Sequence, residues 1–153
     1  MDFTSIRVGV ISDTHDLLRE SAIEALRGVD HILHVGDVCS PGILEELRGI
    51  APLTTVCGNM DRFMDLPQEE AIELAGCWIL MIHNLEHLDI EPSGRFQVVL
   101  HGHTHTPDVR EKKDVLYFNP GSAGPRRGRL PVSLGYLDIS EGKAQAQWIE
   151  IEA

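Results

Sequence analysis

Positive charge is scarce in this chain: 13 basic residues stand against 24 acidic ones, for a formal charge of −11. That balance excludes a duplex nucleic-acid partner held by a field of phosphate contacts. It does not exclude a local phosphate site, because bound divalent cations would be the largest charges there and would reverse the local sign. Cysteine is also sparse. Cys39, Cys57 and Cys77 are odd in number and form no CxxC pair, which sets aside a disulfide framework. No stretch approaches the ~18 apolar residues of a membrane helix. The opening Met1-Asp2-Phe3-Thr4 carries no basic segment followed by a long apolar run. The expectation is a cytoplasmic protein with no membrane partner. A GxSxG elbow and a glycine-rich P-loop with its lysine are missing as well.

What is present fits one domain over residues 1–153, since this length with 42% apolar content supports a substantial core. Five short runs, Val8 to Ile11, Ile32 to Val35, Thr54 to Cys57, Ile79 to Ile82 and Val98 to Leu100, are apolar and rich in β-branched residues. They read as buried strands. The first is followed by a helical stripe over Leu17 to Leu26. The second is followed by Ser40 as N-cap, Pro41 at the first helical position and Gly49 as stop. From Glu70 the period changes to two, giving a hairpin through Ala75-Gly76. The segment 87–97 reads as loop, with one helical turn near Leu85 to Leu88. Val115 to Phe118, Val132 to Ile139 and Ala144 to Ile151 complete the strand candidates. The pattern predicts an α/β domain of two sheets packed face to face with helices outside.

Each of the five runs ends in potential metal ligands: Asp13-Thr14-His15, Gly36-Asp37, Gly58-Asn59-Met60-Asp61, His83, and His103-Thr104-His105. Ligands of open α/β sheets gather beyond the carboxyl ends of strands, so these motifs are expected to converge on one crevice. Asp13 and His15, two apart past a strand, suit one ion. Asp37 is the candidate shared ligand, because a carboxylate has two oxygens. Asp13, His15, Asp37, Asn59, His83, His103 and His105 together offer three oxygen and four nitrogen donors. Such a mixed set leaves coordination positions open for water and substrate, which points to catalysis rather than a closed structural cage.

In this order the motifs resemble the DxH, GD, GNxD, isolated histidine and GHxH blocks of the calcineurin-like metallophosphoesterases, and within them the small YfcE-type phosphodiesterases. Asn119-Pro120-Gly121-Ser122 resembles the closing motif of that family. The resemblance implies a four-layer αββα sandwich of two mixed sheets flanked by helices. It implies that Asp13, His15, Asp37 and His105 bind one divalent ion, and Asp37, Asn59, His83 and His103 the other. Mn, Ni, Zn, Fe and Co all suit these donors, with manganese favoured. The implied activity is hydrolysis of a small phosphorylated substrate, most simply a phosphodiester, by attack of a hydroxide bridging the ions. Family members form dimers or larger assemblies, so a homo-oligomer is expected, with edge strands in the Val132 to Ile151 region available for pairing. The alternative function is a non-catalytic scaffold like the retromer subunit of this fold. Its metal histidines are degraded, whereas here all four stand.

Two positions depart from the family pattern. Met60 occupies the place where many monoester-cleaving relatives carry a leaving-group histidine, which favours diesters or activated esters. Asn84 replaces the usual glycine after His83, and tolerance of left-handed backbone is expected to preserve the turn. The reduced segment 84–97 leaves the hold on His83 open. Several side chains have two readings. Asp61 either orients a ligand histidine or a metal-bound water, and so is a candidate catalytic residue beside Asp37 and Asn59, or it caps a turn. His34 is either a hydrogen-bonding partner of the centre or packing. Arg126 either binds a phosphoryl oxygen or, like Arg127, is a solvated loop charge. His31, His87 and His101 are read as solvated or structural, and Cys57 as a small buried side chain on its strand.

Overall fold

Short β-branched strands alternating with two amphipathic helices build the first half of the chain. A computed structural model describes residues 5–61 and 63–153; residues 1–4, which carried the leader reading, lie outside it. Strands β1 (Ser5–Ile11), β2 (His31–His34) and β3 (Leu53–Thr55) are parallel, joined through helices α1 (Glu20–Leu26) and α2 (Pro41–Arg48). Then follow β4 (Glu69–Leu74), β5 (Cys77–Ile82), a 3₁₀ turn at Leu85–His87, and β6 (Val98–Leu100). The chain closes with β7 (Asp108–Lys112), β8 (Val115–Asn119), β9 (Ser133–Ser140) and β10 (Lys143–Glu150).

These strands form two five-stranded mixed sheets, ordered β10-β9-β1-β2-β3 and β4-β5-β6-β8-β7. In the first, β9 runs antiparallel to β1 and β10 antiparallel to β9. In the second, β5, β6 and β8 are parallel, with β4 and β7 antiparallel at the edges. Period-two alternation sorts the side chains. Val8, Val10, Leu33 and Val35 face Ile79, Met81, Val98, Leu100 and Phe118 in the layer between the sheets. The opposite faces of β1 and β2, with Ile11 and Ile32, take Ala22 and Leu26 of α1 and Ile43, Leu44 and Leu47 of α2. On the outer face of the second sheet, Leu85, Leu88 and Phe96 cover Leu80, Ile82 and Val99, so that layer is a 3₁₀ turn and loop. Among the described residues no helix is long and apolar enough to cross a membrane.

The parallel strands β1, β2, β3, β5, β6 and β8 send their carboxyl ends to one rim. Hydrogen bonds knit the loops there: Asp13 N–H to Gly36 O at 2.9 Å, His15 N–H to Asp37 O at 3.0 Å, and Gly102 N–H to His83 O at 2.9 Å. Ala123 N–H reaches Ser12 O at 3.0 Å, joining the β8 loop to the β1 loop across the two sheets.

Four details differ from the sequence expectation. Helix α1 begins at Glu20 rather than Leu17, because His15 and Asp16 hold left-handed backbone (φ 46° and 68°) and Arg19 is still extended. Strand β3 stops at Thr55, which leaves Cys57 half-buried in the following loop rather than on a strand. Strand β7 is additional: it is an edge strand, its Asp-Val-Arg-Glu-Lys sequence is mostly exposed, and only backbone pairing to β8 defines it. Asn84 is not left-handed; it is extended (φ −111°), and its side chain accepts the Glu86 N–H at 3.1 Å as the cap of the 3₁₀ turn. Of the strands expected to offer a free edge, β9 is paired on both sides and β10 lies at the sheet edge.

Candidate metal centre

Asp13 is fully buried at the end of β1, and its two oxygens have different surroundings. Oδ2 accepts the Ser12 hydroxyl at 2.7 Å and the His103 N–H at 3.2 Å. Oδ1 has no hydrogen-bond partner. Instead three imidazole nitrogens surround it, Nε2 of His105 at 3.5 Å, of His15 at 3.7 Å and of His83 at 3.8 Å. Asp37 repeats the division: Oδ1 accepts the Met60 N–H at 2.9 Å, while Oδ2 lies 3.5 Å from His15 Nε2 and 3.4 Å from His83 Nε2. Both carboxylates thus turn one oxygen to the backbone and the other to a shared space.

The histidines are fixed by contacts on their far sides. His83, buried, donates from Nδ1 to Val35 O at 2.7 Å, which sets its tautomer and directs the Nε2 lone pair at the carboxylates. His15 stacks on His105 at 5.2 Å between centroids, and His103 meets the edge of His83 at 5.3 Å. Nδ1 of His15 lies 3.8 Å from Cys39 Sγ, a neighbour the sequence did not indicate. Two groups of donors result, Asp13–His15–His105 and Asp13–Asp37–His83, each with its atoms within 4.8 Å of one another. Asp13 belongs to both and Asp37 to one, so the carboxylate common to the two groups is Asp13, where the sequence pointed to Asp37. His103 is exposed and stands outside both groups, against His83.

This donor set fits a cation. Asp13 Oδ1 and His15 Nε2 are buried without a hydrogen-bond partner, an arrangement that buried polar atoms generally avoid and that a cation among them would satisfy. Asn59 Oδ1 lies 3.1 Å from His83 Nε2 and faces only acceptors. With the amide exchanged, its nitrogen would donate to Asp37 and His83; with the oxygen inward, it is one more donor to a cation. Ionisation agrees. Burial acts to raise the Asp37 pKa, but the bonds from His83 and the Met60 amide, with the charges of His83 and His15, bring it to about 2. Burial acts against the proton on His83, yet Asp37 and Asp13 raise its pKa overall. For His105 burial prevails and lowers it, with Arg127 adding to the effect.

The backbone that presents these groups is strained. Asp13, His15, Asp37, His103 and His105 all have positive φ, between 46° and 72°. Such conformations cost on the order of 1–3 kcal/mol each in non-glycine residues and persist where the surroundings over-determine them. Gly58 is required by proximity, since a Cβ there would fall on the amide nitrogen and carboxylate of Asp37.

Asp61 is part of what holds the backbone in place. Its buried carboxylate accepts the N–H groups of Val38 (3.1 Å), Cys39 (2.8 Å) and Gly58 (2.9 Å), so both oxygens are committed to main chain and clamp the β2 loop to the β3 loop. These contacts are those of the loop-capping alternative for Asp61. Asn119, to which the sequence reading gave no role, does the same elsewhere: its Nδ2 donates to Gly102 O (3.1 Å) and Thr104 Oγ1 (3.0 Å). The Asn-Pro-Gly-Ser motif was its signal. Arg126 does not join the cluster but lines a cleft with Val132 and residues 150–153; Arg127 is the neighbour whose charge acts on His105. His31 bonds Thr54 at 3.1 Å, His101 is buried with its pKa pushed down to about 4 by burial, and His87 lines a cavity of about 510 Å³ beside Asn59 and His83.

Comparison with known proteins agrees with this geometry. The model of the calcineurin-like phosphoesterase superfamily domain matches residues 6–142. The "probable metallophosphoesterase" of Methanothermobacter thermautotrophicus is 38% identical, with 95% of this chain and 93% of that one covered. Phosphodiesterase YfcE of Escherichia coli is 42% identical, with coverage of 83% and 84%. Among solved structures, Vacuolar Protein Sorting 29 from Cryptosporidium parvum superposes with a TM-score of 0.78 at 22% identity, covering 99% of this chain and all of that one, which speaks to the fold alone.

Proposed function

The chain belongs to the calcineurin-like phosphoesterase superfamily, and from that premise we propose that it is a phosphodiesterase working with two divalent cations, manganese favoured. The observation that supports this best is the pair of buried, unpartnered atoms Asp13 Oδ1 and His15 Nε2, with Nε2 of His105 and His83 and Oδ2 of Asp37 around them. In this reading Asp13, His15, His105 and Asp37 hold one ion, and Asp37, His83, Asn59 and His103 the other, with Asp13 Oδ1 near enough to serve both. Divalent cations there supply Lewis-acid charge to the phosphoryl oxygens and make a water acidic enough to ionise near neutral pH.

The residues of the chain do the rest. Asp37, with its pKa held near 2, stays ionised over the whole working range. The Nδ1 proton of His83 is committed to Val35 O, so this ring orients rather than transfers a proton. Met60, 56% exposed with its amide on Asp37, stands at the mouth and has no proton to give a leaving group. An ester whose leaving group departs without protonation, an activated diester above all, is therefore the matching substrate class. The cavity beside Asn59 and His83 is where the second ester arm would lie.

The scaffold alternative finds support only in the overall fold it shares with Vacuolar Protein Sorting 29. His15, His83, His103 and His105 are all present in this sequence, which favours the enzyme. The test is hydrolysis of bis(p-nitrophenyl) phosphate and p-nitrophenyl phosphate by the Mn²⁺-loaded protein. The diester is expected to turn over faster, and Asp37→Asn is expected to abolish activity. No hydrolysis of either ester would overturn the enzymatic reading.

A further inference from the structure

Thr14, between Asp13 and His15, is fully buried, and so is His34 at the end of β2. Thr14 Oγ1 lies 3.1 Å from His34 Nε2 and 3.2 Å from the carbonyl oxygen of Val38. On the opposite side of the ring, the Gly36 N–H donates to His34 Nδ1 at 3.1 Å. Since Nδ1 accepts, Nε2 carries the proton and donates to Thr14 Oγ1, and the Thr14 hydroxyl donates onward to Val38 O. The bonds run in one direction and leave no group on the path unsatisfied. Burial pushes the His34 pKa down to about 4, in keeping with the neutral ring this pattern needs.

We propose that His34 is a positioning residue of the metal centre: through Thr14 it fixes the Asp13–Thr14–His15 loop against the Gly36–Asp37–Val38 loop, and so sets the affinity for divalent cations. The proposal rests on the metal reading above. Neither His34 nor Thr14 offers an atom to the ions. Their effect goes through Asp13 and His15 on one loop and Asp37 on the other, all three held at positive φ, where a small slip of either loop separates the donors. Packing alone would not need this chemistry, because an apolar side chain of similar size would fill either position.

The test is equilibrium Mn²⁺ binding to the full chain, followed by the paramagnetic signal of free Mn²⁺, with the melting temperature of the metal-free protein recorded for each variant. Thr14→Val keeps the shape and removes the hydroxyl; it is expected to weaken binding about tenfold or more, as loss of a partner of a metal ligand does. Thr14→Ser keeps the hydroxyl and is expected to stay within about twofold of the parent. His34→Phe is expected to match Thr14→Val, and the double variant to bind no worse than the weaker single one, because both break the same connection. If His34→Phe does not fold, the two Thr14 variants decide the matter. Wild-type affinity in Thr14→Val, or equal losses in Thr14→Val and Thr14→Ser, would overturn the positioning role and leave the metal reading standing. A parent protein that takes up no Mn²⁺ would overturn both.

Discussion

Single side chains in this protein divide between those proposed to hold ions and those that hold loops, and substitutions separate the two. Asp61 accepts three main-chain N–H groups. Asp61→Ala leaves those buried donors unsatisfied, so the metal-free protein should lose about 2–3 kcal/mol of stability in urea denaturation. An unchanged metal-free stability with activity lost would instead restore a catalytic role. Met60→His places an imidazole at the mouth of the site, and the expected outcome is a selective rise in kcat/KM for phenyl phosphate, whose leaving group needs a proton, over p-nitrophenyl phosphate, whose leaving group does not. Protonation of buried histidines gives a third prediction. The folded-state pKa of His34 is about 4, below the ordinary 6.5, so between those values the unfolded chain binds a proton that the folded one does not. Stability is therefore full above pH 6.5 and falls as the pH drops toward 4, by about 3 kcal/mol for His34 alone. Asp37 titrates only near pH 2 and does not enter this window. Urea denaturation of the metal-free protein at pH 7.5 and 4.5 reads the loss, and His34→Phe should reduce it.

Strand ends and the loops after them decide what was legible beforehand. The motifs at Asp13, Asp37, Asn59, His83 and His105 could be placed from sequence because each follows a β-branched run whose end can be counted. The pairing of β7 could not, since its side chains are exposed and carry no apolar alternation. Nor could the onset of α1: its apolar stripe extends back to Leu17, and only the left-handed backbone at His15 and Asp16 delays the first helical turn. The division of labour between Arg126 and Arg127 was equally hidden, because adjacent residues of one loop point to different surfaces and sequence has no measure of that. Close approach of loops is also invisible in one dimension. Gly58→Ala would drive a methyl group into the Asp37 amide and carboxylate. The prediction is a lower melting temperature together with loss of Mn²⁺ uptake; uptake retained at the parent level would show that the β2 and β3 loops are not locked together as described.

At the scale of the whole molecule, the candidate site lies where strand-end loops of the two sheets meet, and hydrogen bonds between those loops connect them. Asp13, His15 and Asp37 come from the first sheet, and His83 and His105 from the second. A cation among them would tie the loops of the two sheets together, so ligand binding should appear as global stability. At a Mn²⁺ concentration 100 times the Kd, linkage gives about 2.7 kcal/mol per site, seen as a raised melting temperature that EDTA reverses. A net charge of −11 does not oppose this, because the acidic surface favours the approach of cations. The most direct measurement is an anomalous difference map from crystals soaked in Mn²⁺. The account predicts two peaks about 3.5–4 Å apart, one among Asp13, His15 and His105, the other beside His83 and Asn59, with Asp37 between them. A single peak, or manganese bound away from Asp13 and Asp37, would contradict it.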